Sequence, residues 1–200
     1  MPCPCKEIER QHGAGDCKCT HYREAFPNCE CEQHSVSDHS PGTVQDDEVL
    51  IRTVYSRVQL NSETGCIDPV HLRHDARTRG LSLNRKSHIT EGDLRARIEA
   101  KIARDRAAGK RTDNFYKVIA TRLRDLKCLV DDDGRRLFCV YDTATRDDTS
   151  HADMCQSSEP AKGTANRNVL LMKLSSRLLE AFVTPAADVV ALYVDEPPVG

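Results

Sequence analysis

The chain lacks tryptophan, and aromatic residues make up only 4% of it, so its core is mainly aliphatic. No apolar run approaches the about 18 residues of a membrane-spanning helix; the longest tracts are Val169–Met172 and Val189–Val194. No sign of charge dominates: the formal net charge is −2, so no global field favours nucleic acid or an acidic membrane. The opening residues MPCPCKEIERQH contain no apolar stretch of the kind found in secretory signals, and a cytoplasmic location is the expectation that follows. Also missing are G-x-G-x-x-G, the Walker A loop, G-x-S-x-G and H-E-x-x-H. Dinucleotide-dependent dehydrogenases, P-loop NTPases, α/β-hydrolases and zincin proteases are thereby disfavoured.

What the sequence does have is cysteine. Six of the ten cysteines fall in three Cys-x-Cys pairs, Cys3/Cys5, Cys17/Cys19 and Cys29/Cys31, with His12, His21, His34 and His39 threaded among them. In a reducing compartment thiols stay free, and a dense Cys/His cluster points to metal. Zinc takes four thiolate or imidazole ligands in a tetrahedron. The expected ligands are Cys3, Cys5, His12, Cys17, Cys19, His21, Cys29, Cys31 and His34, holding one or two structural zinc ions. Cys17, Cys19, Cys29 and Cys31 form the preferred core site. A disulfide framework in an exported chain is the rival reading. Cys17-Lys-Cys19, nine residues and Cys29-Glu-Cys31 resemble half of a cysteine-rich tesmin-type DNA-binding repeat, with Glu24 where that family has a further cysteine. Cys3-Pro-Cys5 resembles the opening of the SEC-C zinc motif, without its closing pair. Neither resemblance carries a function across.

Residues 1–40 hold few aliphatic side chains and cannot bury enough surface to fold unaided. The reading is therefore a metal-dependent segment over 1–40, a polar linker over 41–48 and an α+β domain over 49–200. In that domain a small mixed sheet with a C-terminal β-hairpin and about three helices is expected. Strands are read at Val49–Tyr55, Leu81–Leu83 and Ala152–Gln156, with a last strand at Val189–Val194. A helix starts after the N-cap Thr90 and ends near Gly109. Phe115, Val118, Ile119, Leu123 and Leu126 recur at helical spacing and predict a helix over Asn114–Leu126. Lys127–Val130 and Arg136–Tyr141 flank a turn ending in Gly134 and read as the hairpin. A final helix spans about Ala165–Phe182, with Pro185 as its stop.

Two constellations in this domain have chemistry to offer. His71 and His74 lie three apart, beside Asp75 and downstream of Cys66, and fit either a thiol–imidazole pair or a metal ligand set; a solvated loop is the plainer reading. On a strand, His151, Asp153 and Cys155 point to one face, and carboxylates with histidine suit divalent-metal phosphoester hydrolysis. Cys128 and Cys139 sit in apolar runs and read as packed. The basic stretch Arg85–Arg111 has a face for phosphates. The expected function is a zinc-binding regulatory or interaction protein, its N-terminal module docking a protein or nucleic-acid partner. The alternative is a small metal- or thiol-dependent hydrolase using Cys66, His74, His151 and Asp153, with His71 nearby.

Overall fold

A computed structural model of the protein describes residues 4–55, 59–61, 63–64, 66–110, 116–158, 160 and 163–183. The fold is α+β. Its centre is a five-stranded sheet formed by β1 (Val49–Tyr55), β2 (Leu81–Arg85), β3 (Tyr116–Arg122), β4 (Phe138–Tyr141) and β5 (His151–Gln156). The strand order is β3-β1-β2-β5-β4, antiparallel at every pairing, rather than the mixed sheet expected. Six α-helices occur among the described residues, four of them in 49–200 where about three were expected: α1 (Pro4–His12), α2 (Lys18–Ala25), α3 (Pro69–Arg77), α4 (Glu91–Ala107), α5 (Leu123–Lys127) and α6 (Arg167–Val183).

One face of the sheet carries the main core. Leu50 and Val54 of β1, Leu81 and Leu83 of β2, Phe138 and Val140 of β4, and Ala152 and Met154 of β5 pack against α3, α5 and α6. Those helices contribute Leu72, Ala76, Leu123, Leu126, Leu174, Leu178 and Phe182. The opposite face has two separate covers. At the β3–β1 end, α4 lays Leu94, Ile98 and Ile102 on Ile51, flanked by Tyr116 and Val118. At the β5–β4 end the cover is the N-terminal segment, where Cys5, Cys19, Tyr22, Cys29 and Cys31 meet Cys139, Tyr141 and Cys155. Tyr22 stacks on Tyr141 with ring centroids 4.1 Å apart, a contact worth more than its area alone.

The cysteines are where the structure departs most from expectation. Disulfides join Cys5 to Cys31, Cys19 to Cys155 and Cys29 to Cys139. Sulfurs spent on each other are not thiolate ligands, so the zinc assignment is overturned. Among the described residues no group of three or more His, Cys, Asp or Glu side chains is placed to hold a metal ion. His12 and His21 stack on each other at 3.6 Å instead, and Cys17 is free and exposed. Cross-links rather than metal are what hold a segment this poor in aliphatics in place. The cytoplasmic expectation falls with the zinc: three disulfides belong to an oxidising, extracellular or secreted setting. Among the described residues no helix is long and apolar enough to cross a membrane.

The expected helix over Asn114–Leu126 is also corrected. Tyr116–Arg122 is strand β3, paired with β1 over seven residues from Val49↔Arg122 to Tyr55↔Tyr116, and only Leu123–Lys127 is helical. Val118, Ile119 and Thr121 are β-branched, and an apolar partner waits on each side: α4 for Tyr116 and Val118, the main core for Ile119. That packing overrides the helical spacing. The expected hairpin is displaced. Val130 and Arg136 meet at an isolated bridge, and β4 pairs with β5 instead. The stretch around His71 and His74, whose plainer reading is a solvated loop, is helix α3, capped by Asp68 accepting from the Val70 N–H, with Pro69 in the first turn. Thr90 caps α4 through the Asp93 N–H. Cys3 and the strand expected at Val189–Val194 lie outside the described residues.

With disulfides as the cross-links, reductant and chelator should act differently. A Cys19→Ser/Cys155→Ser variant should unfold at lower urea concentration, losing about 2–4 kcal/mol, and reductant should lower the wild-type midpoint. A chelator should leave that midpoint where it was. A midpoint that falls with chelator and ignores reductant would contradict the account.

Candidate functional site

Because α4 and the N-terminal segment cover opposite ends of the same sheet face, the middle of that face is left open. There β1 and β2 pair at only two positions, Leu50↔Arg85 and Ile51↔Asn84. Beyond them Arg52 reaches across the split and donates from Nη1 to the Ser82 carbonyl at 2.9 Å. The result is a cleft of about 670 Å³, a size typical of small-molecule sites. Thr53, Ser82, Asn84, His151 and Asp153 contribute to it from the strands. Gly13, Ala14 and Lys18 border it on the N-terminal side, and Tyr55, Lys101, Asp105 and Lys110 on the α4 side. Lys101 sits 5.0 Å over the Tyr55 ring. Arg79, Gly80 and Asp75 reach it from the end of α3.

Strand alternation puts the polar groups together. In β2 Leu81 and Leu83 turn into the core, so Ser82 and Asn84 face the cleft. Ser82 lies opposite Asp153, and Asn84 opposite His151. A line of hydrogen bonds runs across this floor. Ser82 Oγ is 2.8 Å from His151 Nε2. His151 Nδ1 is 2.9 Å from Thr143 Oγ1 and 3.2 Å from the Thr143 carbonyl. Thr143 Oγ1 donates to Asp153 Oδ2 at 3.0 Å, and Lys18 Nζ donates to the same oxygen at 2.5 Å. Lys18 also stands 3.4 Å from Glu9.

Donor bookkeeping fixes the imidazole. A carbonyl only accepts, and the Thr143 hydroxyl has given its one proton to the Asp153 carboxylate. In the neutral imidazole these partners put the proton on Nδ1 and leave the Nε2 lone pair to the Ser82 hydroxyl.

The far end of the line is a buried ion pair, with the Lys18 and Asp153 side chains 3% and 5% exposed. Burial would push the Asp153 carboxyl up, but the Lys18 ammonium and its hydrogen bond hold it below the ordinary range. Burial opposes the Lys18 charge as well, and Asp153 and Glu9 outweigh it and raise its pKa. The pair is clamped on both sides. Next to Lys18, Cys19 is bonded to Cys155 two residues beyond Asp153, and its N–H donates to the Thr78 carbonyl at 2.9 Å. On the other side Gly80 closes on the carboxylate: it has φ +96°, and a Cβ there would stand 2.9 Å from Asp153 Oδ1. Only glycine fits.

The residues singled out from sequence separate cleanly. His151 and Asp153 line the cleft, and Cys155 shares their face of β5 within a disulfide. Cys66 and His74 are exposed, His71 is half-exposed 3.8 Å from Asp68, and none of the three lines the cleft. The part α3 plays comes through Asp75, which pairs with Arg52 at 3.4 Å and Arg79 at 3.2 Å. Cys139 is bonded to Cys29, while Cys128 is exposed rather than packed. Ser82, Thr143 and Lys18 were missed. The only signal for Ser82 is its place between Leu81 and Leu83 on a strand. Nothing local marks Lys18 or Thr143.

The ion pair gives a pH-dependent prediction. Lys18→Met leaves Asp153 buried without its cation, and should cost about 3–5 kcal/mol at pH 7. The wild-type pair contributes stability above the ordinary carboxyl value of 3.8 and loses it as pH falls through the lowered Asp153 value. At the alkaline end it is lost as pH rises through the Lys18 value, which lies above 10.5. Urea midpoints of wild type and variant should therefore differ most near neutrality and converge below pH 3.8. A gap that is independent of pH would show that the side-chain packing of Lys18, rather than its charge, is what matters.

Set against known protein families, characterised proteins and solved structures, the chain shows no match to any, and its function has to be argued from the cleft itself.

Proposed function

We propose that this is a binding protein of an oxidising compartment whose working surface is the cleft, and that its ligand is a small molecule bearing carboxylate or phosphate groups. The observation that carries the reading is the charge of the lining. Lys18, Arg52, Arg79, Lys101 and Lys110 stand against Asp75, Asp105 and Asp153, an excess of two cations. The carboxylates hold the cations in position: Asp105 bonds Lys101 at 2.6 Å and Lys110 at 3.1 Å, and Asp75 bonds Arg52 and Arg79. Arg79 and Lys110 remain 63% and 65% exposed at the rim, able to meet an incoming anion. The net positive lining favours anions over cations inside the cleft, and Ser82, Thr53, Asn84 and Tyr55 add neutral hydrogen-bonding groups.

A nucleic-acid surface along 85–111 draws less support. Arg85 is buried and bound to Glu48 at 2.8 Å. Arg97 is paired with Asp148. A freely docking N-terminal module has as little behind it, since that segment is bonded to β4 and β5.

Isothermal titration at low ionic strength tests the reading, with inorganic phosphate and citrate as probes. Binding of at least one is expected, weakening with added salt, and Arg79→Glu or Lys101→Glu should each weaken it about tenfold, near 1.4 kcal/mol. No binding of either probe, or binding indifferent to both substitutions, would count against it.

A further inference from the structure

The polar line on the cleft floor holds more than an anion needs. A hydroxyl facing the lone pair of a neutral imidazole, whose other nitrogen is fixed by a second acceptor, is the arrangement by which serine is made a nucleophile. Here Ser82 Oγ stands 2.8 Å from His151 Nε2, and Nδ1 is held by both oxygens of Thr143. Thr143 is held in turn by Asp153, and Asp153 by Lys18. Both Ser82 and His151 are half-buried and line the cleft, so a bound molecule reaches them. The pair is built from two neighbouring strands at fixed register, Ser82 opposite Asp153 and Asn84 opposite His151, and needs no loop movement to form.

We propose that Ser82 and His151 are the catalytic nucleophile and general base of an ester-hydrolysing activity in the cleft. Ser82 Oγ attacks the ester carbonyl carbon while its proton passes to His151 Nε2. The carbon–oxygen bond to the alcohol then breaks, and the departing oxygen takes that proton back from Nε2, leaving an acyl-serine. Water repeats the cycle: it attacks the acyl carbon, gives its proton to Nε2, and the carboxylic acid leaves as Ser82 recovers the proton. No oxidant or further reactant is required. Arg52, hydrogen-bonded to the Ser82 carbonyl, brings positive charge to the residue on which the tetrahedral oxyanion develops. Thr143 acts through His151 by keeping the proton on Nδ1. A preference for esters carrying a carboxylate or phosphate rests on the binding reading above; the nucleophile pair does not.

The test uses the full chain with its disulfides intact and a neutral fluorophosphonate, followed by peptide mass spectrometry. Phosphonylation of Ser82 in the wild type is expected, displacing fluoride, with loss of the adduct in Ser82→Ala and a rate at least about 100-fold lower in His151→Ala. Thr143→Val should lower kcat for p-nitrophenyl acetate while leaving KM near the wild-type value, a split that loss of structure would not produce. Absence of the wild-type adduct, its appearance on another residue, or an unchanged rate in His151→Ala would overturn the proposal, whether or not phosphate and citrate bind. Adduct formation without binding of either anion would keep the nucleophile and remove the anionic substrate class.

Discussion

The structure depends on one seam, where α2 meets β5. Lys18 and Asp153 form a buried ion pair there, and the adjoining Cys19–Cys155 bond fixes the same two elements. A buried charge is tolerated only if its partner is always present, and a disulfide between residues 136 apart in sequence is a way of guaranteeing that. Elsewhere the N-terminal segment is held by the Cys29–Cys139 bond to β4 and by Ile8, Tyr22, Phe26 and Val36 in the same cluster, but it is the seam that borders the cleft. With it, Asp153 is a fixed carboxylate, Thr143 and His151 are oriented in turn, and one wall of the cleft stands.

The cleft itself is a product of how the second sheet face is covered. Two unlike covers, an amphipathic helix at one end and a cross-linked segment at the other, leave the central strands partly open. The polar residues found there would be costly beneath either cover. Ser82, Asn84 and His151 can be polar because they are only partly buried, whereas Leu81, Leu83 and Ala152 on the reverse side are fully packed. The anion-binding reading and the nucleophile reading are consequences of that same opening. The first draws on the charges at its rim and the second on the hydrogen bonds across its floor.

Much of the fold was legible where local chemistry decides. Val49–Tyr55 is a strand over the expected residues, Thr90 caps its helix, and the alternation of His151, Asp153 and Cys155 puts all three on one face. Where partners are distant, legibility failed. The Cys-x-Cys pairs are a strong local signal, but among the described cysteines only Cys5–Cys31 joins two members of the cluster, and Cys19 and Cys29 find theirs on β5 and β4. Spacing within the first 31 residues cannot reveal a partner more than a hundred residues away. The helix expected over Asn114–Leu126 failed for a related reason, since pairing with β1 decided the conformation. In the site, the conspicuous His71/His74 pair turned out to be peripheral, while Ser82, Thr143 and Lys18 gain their roles only from register and burial.

The most direct measurement is a peptide map of the protein digested without reduction, after free thiols have been blocked with an alkylating agent. The account predicts three cross-links, joining Cys5 to Cys31, Cys19 to Cys155 and Cys29 to Cys139, with Cys17, Cys66 and Cys128 alkylated. Recovery of Cys19 and Cys155 as alkylated thiols, or bonded to other partners, would contradict it at the seam on which the cleft depends.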